Sequence, residues 1–396
     1  MKRGSLSRNT RSRYAHAVSS APTPDATPDA RPASSPAPAL GPAEFHRSEG
    51  EGDLTAALRH LAAGASLSYE DTVTAFTSMM RGRAHPAEVG ALLALLATRV
   101  PTAEELAGAA SVMRLHCDPV PTSLPREAIL DTAGTGGAPK TFNVGTASAI
   151  VAAACGARVA KAGNKSRTGR GSAEVLEALG VNINATRDVQ RTCLEQVGVC
   201  FCYAVQHHPA AKHAMPVRKI LGFPTIFNLL GPLTNPAGAG CQLMGVYAKQ
   251  FVEPVAGAMI RLGTRRALVI HSLDGLDEIS TGADSIMVSV RDGQLERGLF
   301  HPEEVGISKS NPLARVPDSA SQAAEWIIEL FDGSMHGTAR DMLVINSAAA
   351  LVAADFARDM RHGVDLAREA ISSGAAAGTL DRLIAVSNGH HDPAEH

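Results

Sequence analysis

Residues 128–146 read AILDTAGTGGAPKTFNVGT, and this stretch decides the fold. Its apolar start predicts a short strand, and the small residues of Thr146–Cys155 predict a helix. Between them, Gly134, Gly136 and Gly137 let the backbone turn its N–H groups toward an anion, which the positive end of the helix also attracts. The spacing is neither the dinucleotide-binding G-x-G-x-x-G nor a Walker loop. We therefore predict an anion site, with a tight strand-to-helix turn as the alternative.

Strands and helices continue to alternate beyond this stretch. Apolar runs predict strands at 158–160, 199–203, 243–247 and 267–271, with helices between them. This alternation predicts a parallel sheet with helices on both faces. Upstream, apolar residues at helical spacing predict four amphipathic helices, with Ser68 as an N-cap.

The predicted fold is α/β, with a small α-helical domain and a larger α/β domain that has a mainly parallel sheet. We place the helical domain at 53–120, with a later helical contribution near 205–220, and the α/β domain at 128–387. Residues 1–46 are rich in Pro, Ala and Ser and contain almost no large apolar side chain, so we expect them to be disordered. Their first twenty residues are basic and free of acids. They fit a transit peptide, a dispensable tail or a start codon assigned too far upstream, and the lack of an amphipathic stripe favours the latter two over the transit peptide.

Composition excludes several classes of protein. The net charge of −2 and an aromatic content of 4% argue against a nucleic-acid partner, which needs basic charge and stacking surfaces. No run approaches the roughly 20 apolar residues of a membrane helix, so we expect no membrane partner. The six cysteines show neither zinc-site nor disulfide spacing. We therefore expect a soluble cytoplasmic enzyme.

A second loop, at residues 161–172, carries four cations among Gly, Ser and Thr. Lys161, Lys165, Arg167 and Arg170 lie within ten residues, again at the end of a predicted strand. Such a loop can fold over phosphate groups. The alternative is a solvated basic loop.

Two adjacent carboxylates, Asp277 and Glu278, follow the predicted strand at 267–271. Mg²⁺ is commonly held by one or two carboxylates together with substrate phosphates, so the pair suits Mg²⁺ beside a phosphate loop. The alternative is the N-cap region of a helix.

Three histidines, His207, His208 and His213, precede Arg218. Their spacing does not match H-E-x-x-H, which disfavours a metal site. An arginine on a helix can instead bind a substrate carboxylate with two hydrogen bonds.

Taken together, these motifs resemble the anthranilate phosphoribosyltransferase family over about residues 53–385. The resemblance rests on Leu67–Asp71, Pro86–Gly90, the Gly134–Gly137 loop, the Lys-x-Gly-Asn turn at 161–164, Leu176–Gly180, Thr225–Pro236 and the Asp277–Glu278 pair. It implies a homodimer, Mg²⁺, and the transfer of a 5-phosphoribosyl group from 5-phosphoribosyl 1-diphosphate (PRPP) to the amine of anthranilate in tryptophan biosynthesis.

The resemblance also implies site residues. The glycine loop and the residues around the phosphates would bind PRPP: Gly134, Thr135, Gly136, Gly137, Asn143, Thr146, Lys161, Arg170 and Ser172. Asn164, His208 and Arg218 would face the acceptor, with Arg218 on its carboxylate, and Asp277 and Glu278 would bind Mg²⁺. No residue is assigned as a general acid or base; Lys161, Asn164 and Arg218 would act by positioning.

The chain departs from the family pattern at five positions. The family usually has Asp at Ala138, a metal-contacting Ser at Gly145, His at Ala162 and often an aromatic residue at Ala211, and Arg170 stands near its usual lysine. The changes at Ala162 and Ala211 remove bulk beside the acceptor, so a paralogue that uses another aromatic acceptor is an alternative. Further alternatives are a non-catalytic polyanion-binding relative, which the net charge disfavours, and a nucleoside phosphorylase that uses free phosphate.

Overall fold

The structure, a computed structural model, describes residues 52–394. The expectation of disorder at 1–46 lies outside the described residues. The sheet in this range consists of β1 (Ile129–Asp131), β2 (Arg158–Gly163), β3 (Val199–Tyr203), β4 (Cys241–Gly245), β5 (Arg266–Ser272), β6 (Ser285–Arg291) and β7 (Gln294–Phe300).

The strand order is β3-β2-β1-β4-β5-β6-β7. Pairing is parallel from β3 through β5 and antiparallel for β6 and β7. The chain runs outward from β1 to β3 on one side and from β4 to β7 on the other. The crevice beyond the carboxyl ends of β1 and β4 is therefore a topological switch point, where open α/β sheets bind ligands.

Helices cover both faces of the sheet. They are α1 (Thr55–Ala62), α2 (Tyr69–Met80), α3 (Pro86–Ala97), α4 (Ala103–Leu115), α5 (Val144–Ala154), α6 (Ser172–Ala178), α7 (Arg187–Thr192), α8 (Ala204–His207), α9 (Met215–Leu221), α10 (Ile226–Leu230), α11 (Val252–Arg261), α12 (Ala320–Phe331), α13 (Thr338–Ala353), α14 (Met360–Ser372) and α15 (Ala375–Ser387). None of the helices between residues 52 and 394 combines the length and apolar character that a membrane crossing requires.

Side-chain caps define the starts of the first helices. Ser68 Oγ accepts a hydrogen bond from Asp71 N at 3.0 Å, as its position predicts. Thr102 and Glu105 form a reciprocal capping box at the start of α4. Helix α9 packs on α3, which brings the later helical segment against the N-terminal helices.

Two apolar cores lie on opposite faces of the sheet. One joins the strands to α5, α6 and α12–α15 and includes Phe142 and Trp326, whose ring centroids are 6.1 Å apart. The other joins α1–α4, α10 and α11 and includes Phe76 and Phe227, 6.2 Å apart. The predicted class, a small helical part with a larger α/β part and a mainly parallel sheet, is confirmed.

The antiparallel hairpin of β6 and β7 is absent from the sequence prediction. Asp292 and Gly293 connect the two strands, and both have positive φ values, 48° and 80°. An Asp-Gly pair between strands is a strong hairpin signal because such turns need positive φ at both positions. The predicted strands at 158–160 and 243–247 are observed at Arg158–Gly163 and Cys241–Gly245.

Candidate active site

The glycine loop crosses the carboxyl end of β4. Gly136 and Gly137 have φ values of 59° and 99°, which a residue with a side chain rarely adopts. Thr135 N donates to Gly245 O at 2.9 Å, and its Oγ1 accepts from Tyr247 N at 3.0 Å. A Cβ at Gly137 would lie 3.4 Å from the Tyr247 ring. Two hydrogen bonds of Thr135 and the neighbouring Tyr247 ring therefore hold the loop at the carboxyl end of the sheet.

The fold brings the carboxylate pair to this loop. A Cβ at Gly134 would lie 3.5 Å from Asp277 Oδ2, and Thr141 Oγ1 donates to Glu278 Oε2 at 2.6 Å. The pair follows β5, as predicted, because the carboxyl ends of parallel strands meet at one edge. The glycine loop and the two acids, about 140 residues apart in sequence, thus form one site.

Both carboxyl groups have raised pKa values. Burial raises the pKa of Asp277, against the opposing effect of Lys140. Burial, with the adjacent Asp277, raises the pKa of Glu278 to about 8. Two neighbouring acids removed from water are costly when ionised, so the pair favours a bound cation. Within residues 52–394, no group of three or more His, Cys, Asp or Glu side chains could hold a metal ion.

Lys161 is the buried cation of the site. Its side chain lies at the end of β2, the residue is 6% exposed, and Nζ is 3.5 Å from Ala162 O, at the limit of a hydrogen bond. Burial lowers its pKa, while the charges of Asp131 and Glu278 act in the opposite direction. An ammonium with such weak hydrogen bonding retains donors for an anion.

The remaining predicted cations bind protein groups. Lys165 Nζ lies 2.9 Å from Glu177, Arg167 Nη1 donates to Gly222 O at 3.2 Å, and the Arg170 guanidinium binds Pro317 O. The position of Arg170 directs this guanidinium toward the 311–318 segment. Its assignment to substrate stays a prediction.

The start of α5 is built around Asn143 and Thr146. Asn143 has a φ of 65°, and its Nδ2 donates to Arg170 O at 3.2 Å, which ties the basic loop to the glycine loop. Thr146 is buried, and its N–H donates to Asn143 O at 2.9 Å.

Neighbouring atoms lie very close to two glycines of the site, Gly145 and Gly163. A Cβ at Gly145 would lie 3.1 Å from Thr132 O, so a larger residue there requires a shift of that backbone. Ser172 begins α6, and a Cβ at Gly163 would meet its Oγ at 2.1 Å. Glycine at 163 therefore permits the start of α6 to approach the end of β2.

Arg218 lies on α9 beside the helical part. Its guanidinium stacks 4.7 Å above the Phe227 ring centroid, and Nη1 is 3.5 Å from Met215 Sδ. Burial lowers its pKa. A guanidinium that contacts an aromatic face through its central carbon can still offer N–H groups to a planar carboxylate. Gly222, the C-cap of α9, accepts the bond from Arg167, so the basic loop adjoins the Arg218 helix.

His207 and His208 have different surroundings. His207 Nδ1 lies 2.7 Å from Asp118 O, and Arg187 Nη1 lies 3.3 Å from its Nε2, so His207 is structural. His208 Nε2 is 3.5 Å from Thr234 Oγ1, and burial lowers the pKa of each imidazole to about 4. His208 borders a small cavity lined also by Met80, Met113, His116, Ala210 and Ala211. Asn164 is exposed, and its Oδ1 accepts from Lys165 N at 2.8 Å.

Three residues of the site have no place in the sequence prediction. Thr141 contacts Glu278, and Asp131 and Asn235 form a buried hydrogen bond of 2.7 Å next to Lys161. The position of Asp131, between a strand and the glycine loop, is a signal that could have identified it. Asn235 lies in a segment that reads as a rigid turn, and nothing local marks it.

The sequence matches known families over most of its length. Residues 55–117 match the helical bundle domain of the glycosyl transferase family, and residues 126–377 match its α/β domain. The anthranilate phosphoribosyltransferase of Thioalkalivibrio sulfidiphilus is 43% identical over 335 residues, which cover 84% of this chain and 98% of that protein. The enzyme of Thermomicrobium roseum is 42% identical over 338 residues, covering 84% and 97%.

Solved structures with the same fold are known. The anthranilate phosphoribosyltransferase of Thermus thermophilus superimposes with a TM-score of 0.79 at 36% identity, covering 84% of this chain and 99% of that chain. The enzyme of Saccharomyces cerevisiae in complex with PRPP and Mg has a TM-score of 0.76 at 24% identity, covering 85% and 98%, a likeness of fold alone. On the sequence matches, this chain belongs to the anthranilate phosphoribosyltransferase family.

Proposed function

We propose that this enzyme transfers the 5-phosphoribosyl group of PRPP to the amine of anthranilate, with release of diphosphate, as a step of tryptophan biosynthesis. The observation that carries the proposal is the convergence of the glycine loop, Lys161 and the Asp277–Glu278 pair at one sheet edge in a chain 43% identical to such an enzyme. These relatives favour anthranilate over another aromatic acceptor and over a non-catalytic polyanion-binding role.

PRPP binding is assigned to the sheet edge. The start of α5 and the N–H groups of Gly134 and Gly137 would face a phosphate, whereas Thr135 N donates to Gly245 O and Gly136 N–H donates to Asp277; the helix dipole adds to the attraction. Lys161 supplies a buried positive charge, which is worth more there than at the surface because the local dielectric constant is lower. We assign Thr135, Asn143, Thr146 and Ser172 to the same site on the family resemblance.

Mg²⁺ fits the residues present. Asp277 and Glu278 are adjacent carboxylates whose pKa values rise on burial, so a divalent cation would stabilise their ionised forms. Two protein carboxylates leave coordination positions for phosphate oxygens, as Mg²⁺ usually requires. When bound, the ion neutralises charge on the diphosphate and makes it a better leaving group.

The acceptor is assigned to the Arg218 side. Arg218 would hold the anthranilate carboxylate in a bidentate pair, and Asn164 and neutral His208 would face the ring and its amine. The arylamine nitrogen attacks C1 of the ribose, the bond from C1 to the diphosphate oxygen breaks, and the amine then loses a proton to solvent. An arylamine needs no strong base, so the alanine at position 162 is compatible with this chemistry.

Positioning and electrostatic stabilisation supply the catalysis. Negative charge would grow on the departing diphosphate, and we assign its stabilisation to Lys161 and to the N–H groups at the start of α5. Holding the amine and C1 in line converts the encounter of two substrates into a step within one complex.

A homodimer is part of the proposal. Leu115, at the end of α4, and Ile220, on α9, are 77% and 85% exposed, and large exposed apolar side chains are often covered by a partner. Light scattering should give about twice the 41.1 kDa chain mass. A monomer at micromolar concentration would refute the dimer but leave the reaction intact.

The reaction is tested by incubating the protein with PRPP, Mg²⁺ and anthranilate, and by following both diphosphate release and loss of anthranilate fluorescence. We expect equal amounts of diphosphate and phosphoribosyl anthranilate. A panel of other aromatic amines and acids, run in parallel, tests the acceptor. Faster turnover of another acceptor would refute anthranilate but retain the reaction class.

A further inference from the structure

The ladder between β1 and β2 ends before it reaches Lys161. Its last pair is Leu130 with Val159, and after Asp131 the chain leaves the sheet to form the glycine loop. In a parallel ladder, the strand residue facing Lys161 would donate its N–H to Ala160 O and accept from Ala162 N. The departure of β1 removes that residue, and unpaired buried backbone groups are costly.

Two side chains replace the missing residue. Asn235 Nδ2 donates to Ala160 O at 2.7 Å, and Asp131 Oδ1 accepts from Ala162 N at 3.1 Å. An amide donor and a carboxylate acceptor thus take the places of one peptide N–H and one peptide C=O. Both peptide groups that flank Lys161 are therefore fixed on the side that β1 leaves open.

The two side chains also fix each other. Asn235 Nδ2 donates to Asp131 Oδ2 at 2.7 Å, and both residues are buried, at 8% and 0% exposed. Asp131 Oδ1 accepts a further bond from Ala133 N at 3.0 Å, and Asn235 Oδ1 accepts from Ala237 N at 2.9 Å. With every polar atom of both side chains engaged, neither side chain can rotate without breaking bonds.

We propose that Asp131 and Asn235 are positioning residues for the transfer reaction, which hold the Lys161 ammonium on the diphosphate side of the site. This inference rests on the proposed function. Neither residue needs to touch substrate. Asn235 and Asp131 anchor the backbone on both sides of Lys161. The negative charge of the Asp131 carboxylate also offsets the positive charge of the buried Lys161 ammonium. The same hydrogen bonds also fix the last residues of β2, and the basic loop begins directly after them.

The test measures binding of inorganic diphosphate, with Mg²⁺ present, by calorimetry. The variants are Asn235→Ala, which removes the amide, and Asp131→Asn, which replaces the acceptor that faces Asn235 with a donor. We expect each to raise the Kd for diphosphate and the KM for PRPP by about 10-fold or more, the effect of one lost buried hydrogen bond to a charged group. The KM for anthranilate should change less than about 3-fold, since Arg218 lies elsewhere.

A double-mutant cycle separates positioning from general damage. In a Lys161→Met background, Asn235→Ala should change the Kd for diphosphate by less than about 2-fold, because the group being positioned is gone. An unchanged 10-fold effect in that background would overturn the proposal. Should Asn235→Ala fail to fold, Asp131→Asn gives the same comparison, because its Oδ1 can still accept from Ala133 and Ala162.

Thr72→Ala is the matched control. Thr72 is buried in the helical part, and its Oγ1 donates to Ser68 O at 2.8 Å at the start of α2. It should lower Tm yet leave the Kd for diphosphate within about 2-fold. An equal loss of diphosphate binding in this control would make the effect one of stability and refute the proposal. A wild-type protein that binds diphosphate but makes no phosphoribosyl product would refute the proposed function and leave this test valid.

Discussion

Thr141 Oγ1 donates a 2.6 Å hydrogen bond to Glu278, and this bond joins the glycine loop to the carboxylate pair. It orients one oxygen of Glu278 and leaves the other free for a cation. Asp277 lies beside Gly134, so both members of the carboxylate pair contact the segment that contains the glycine loop. We therefore expect both acids to be necessary for turnover but not for folding.

Replacing the pair by neutral isosteres, in Asp277→Asn with Glu278→Gln, should lower the rate of diphosphate release by roughly 100-fold or more, because the diphosphate loses its metal. Tm should stay the same or rise, since burial already disfavours the ionised carboxylates. Mg²⁺ titrations of initial rate and thermal unfolding check both statements. The control is Glu303→Gln with Glu304→Gln, an exposed adjacent pair elsewhere, which should behave as wild type. Wild-type rates with unchanged Mg²⁺ dependence in the first variant would contradict the assignment.

Acid should destabilise the fold through its buried histidines. Burial lowers the pKa of His207 and His208 to about 4, below the ordinary value of 6.5. The unfolded chain therefore binds more protons between pH 6.5 and 4, and the free energy of unfolding falls as pH falls through that window. The loss from His207 alone is about 3 kcal/mol by pH 4. Urea unfolding at pH 7 and pH 4.5 measures it, and His207→Gln should flatten the dependence. An equal slope in that variant would place the acid sensitivity elsewhere.

Arg218→Lys should weaken the acceptor much more than PRPP. We expect the variant to lose the two hydrogen bonds that we assign between Arg218 and the acceptor carboxylate, together with the guanidinium contact over the Phe227 ring. Loss of one charge-assisted bond costs roughly 1.5–3 kcal/mol, or about 10- to 150-fold in the KM for anthranilate. Steady-state kinetics with each substrate varied in turn provide the measurement.

The companion variant is Lys219→Ala, which removes an exposed cation from the same helix. It should leave both Michaelis constants within about 2-fold, as surface substitutions usually do. Equal increases in both constants for Arg218→Lys would indicate a structural role for Arg218 instead.

The sequence predicts the parts of the site that depend on local pattern. The glycines at 134–137 and the acids at 277–278 each follow an apolar strand, and parallel strands bring such loops to one edge, so their proximity was predictable. The Asp292–Gly293 turn carries a local signal for the hairpin that the prediction lacks.

Other parts depend on long-range geometry. Asn235 contacts Ala160 and Asp131, 75 and 104 residues away, and its own segment reads only as a turn. The binding of Arg170 to Pro317 likewise joins two loops whose approach no local pattern records. The Asn235 contacts follow from where β1 leaves the sheet, which is a property of the whole fold.

Deleting residues 1–46 should leave kcat, both Michaelis constants and Tm almost unchanged. The segment is rich in Pro, Ala and Ser, and the family match begins at residue 55. The full-length and shortened proteins should be compared by kinetics, thermal unfolding and light scattering in one buffer. A change in oligomeric state or a drop in Tm on truncation would mean that the segment contributes to the fold.

We propose that the glycine loop, Lys161 and the carboxylate pair form one PRPP site, with the acceptor bound beside it at Arg218. The most direct test of this proposal is a single time course with PRPP, Mg²⁺ and anthranilate, in which diphosphate and phosphoribosyl anthranilate are quantified together. The two products should accumulate in a 1:1 ratio, and chelation of Mg²⁺ should stop the formation of both. Diphosphate release without an anthranilate product, or product formation that is unaffected by chelation, would contradict the proposal.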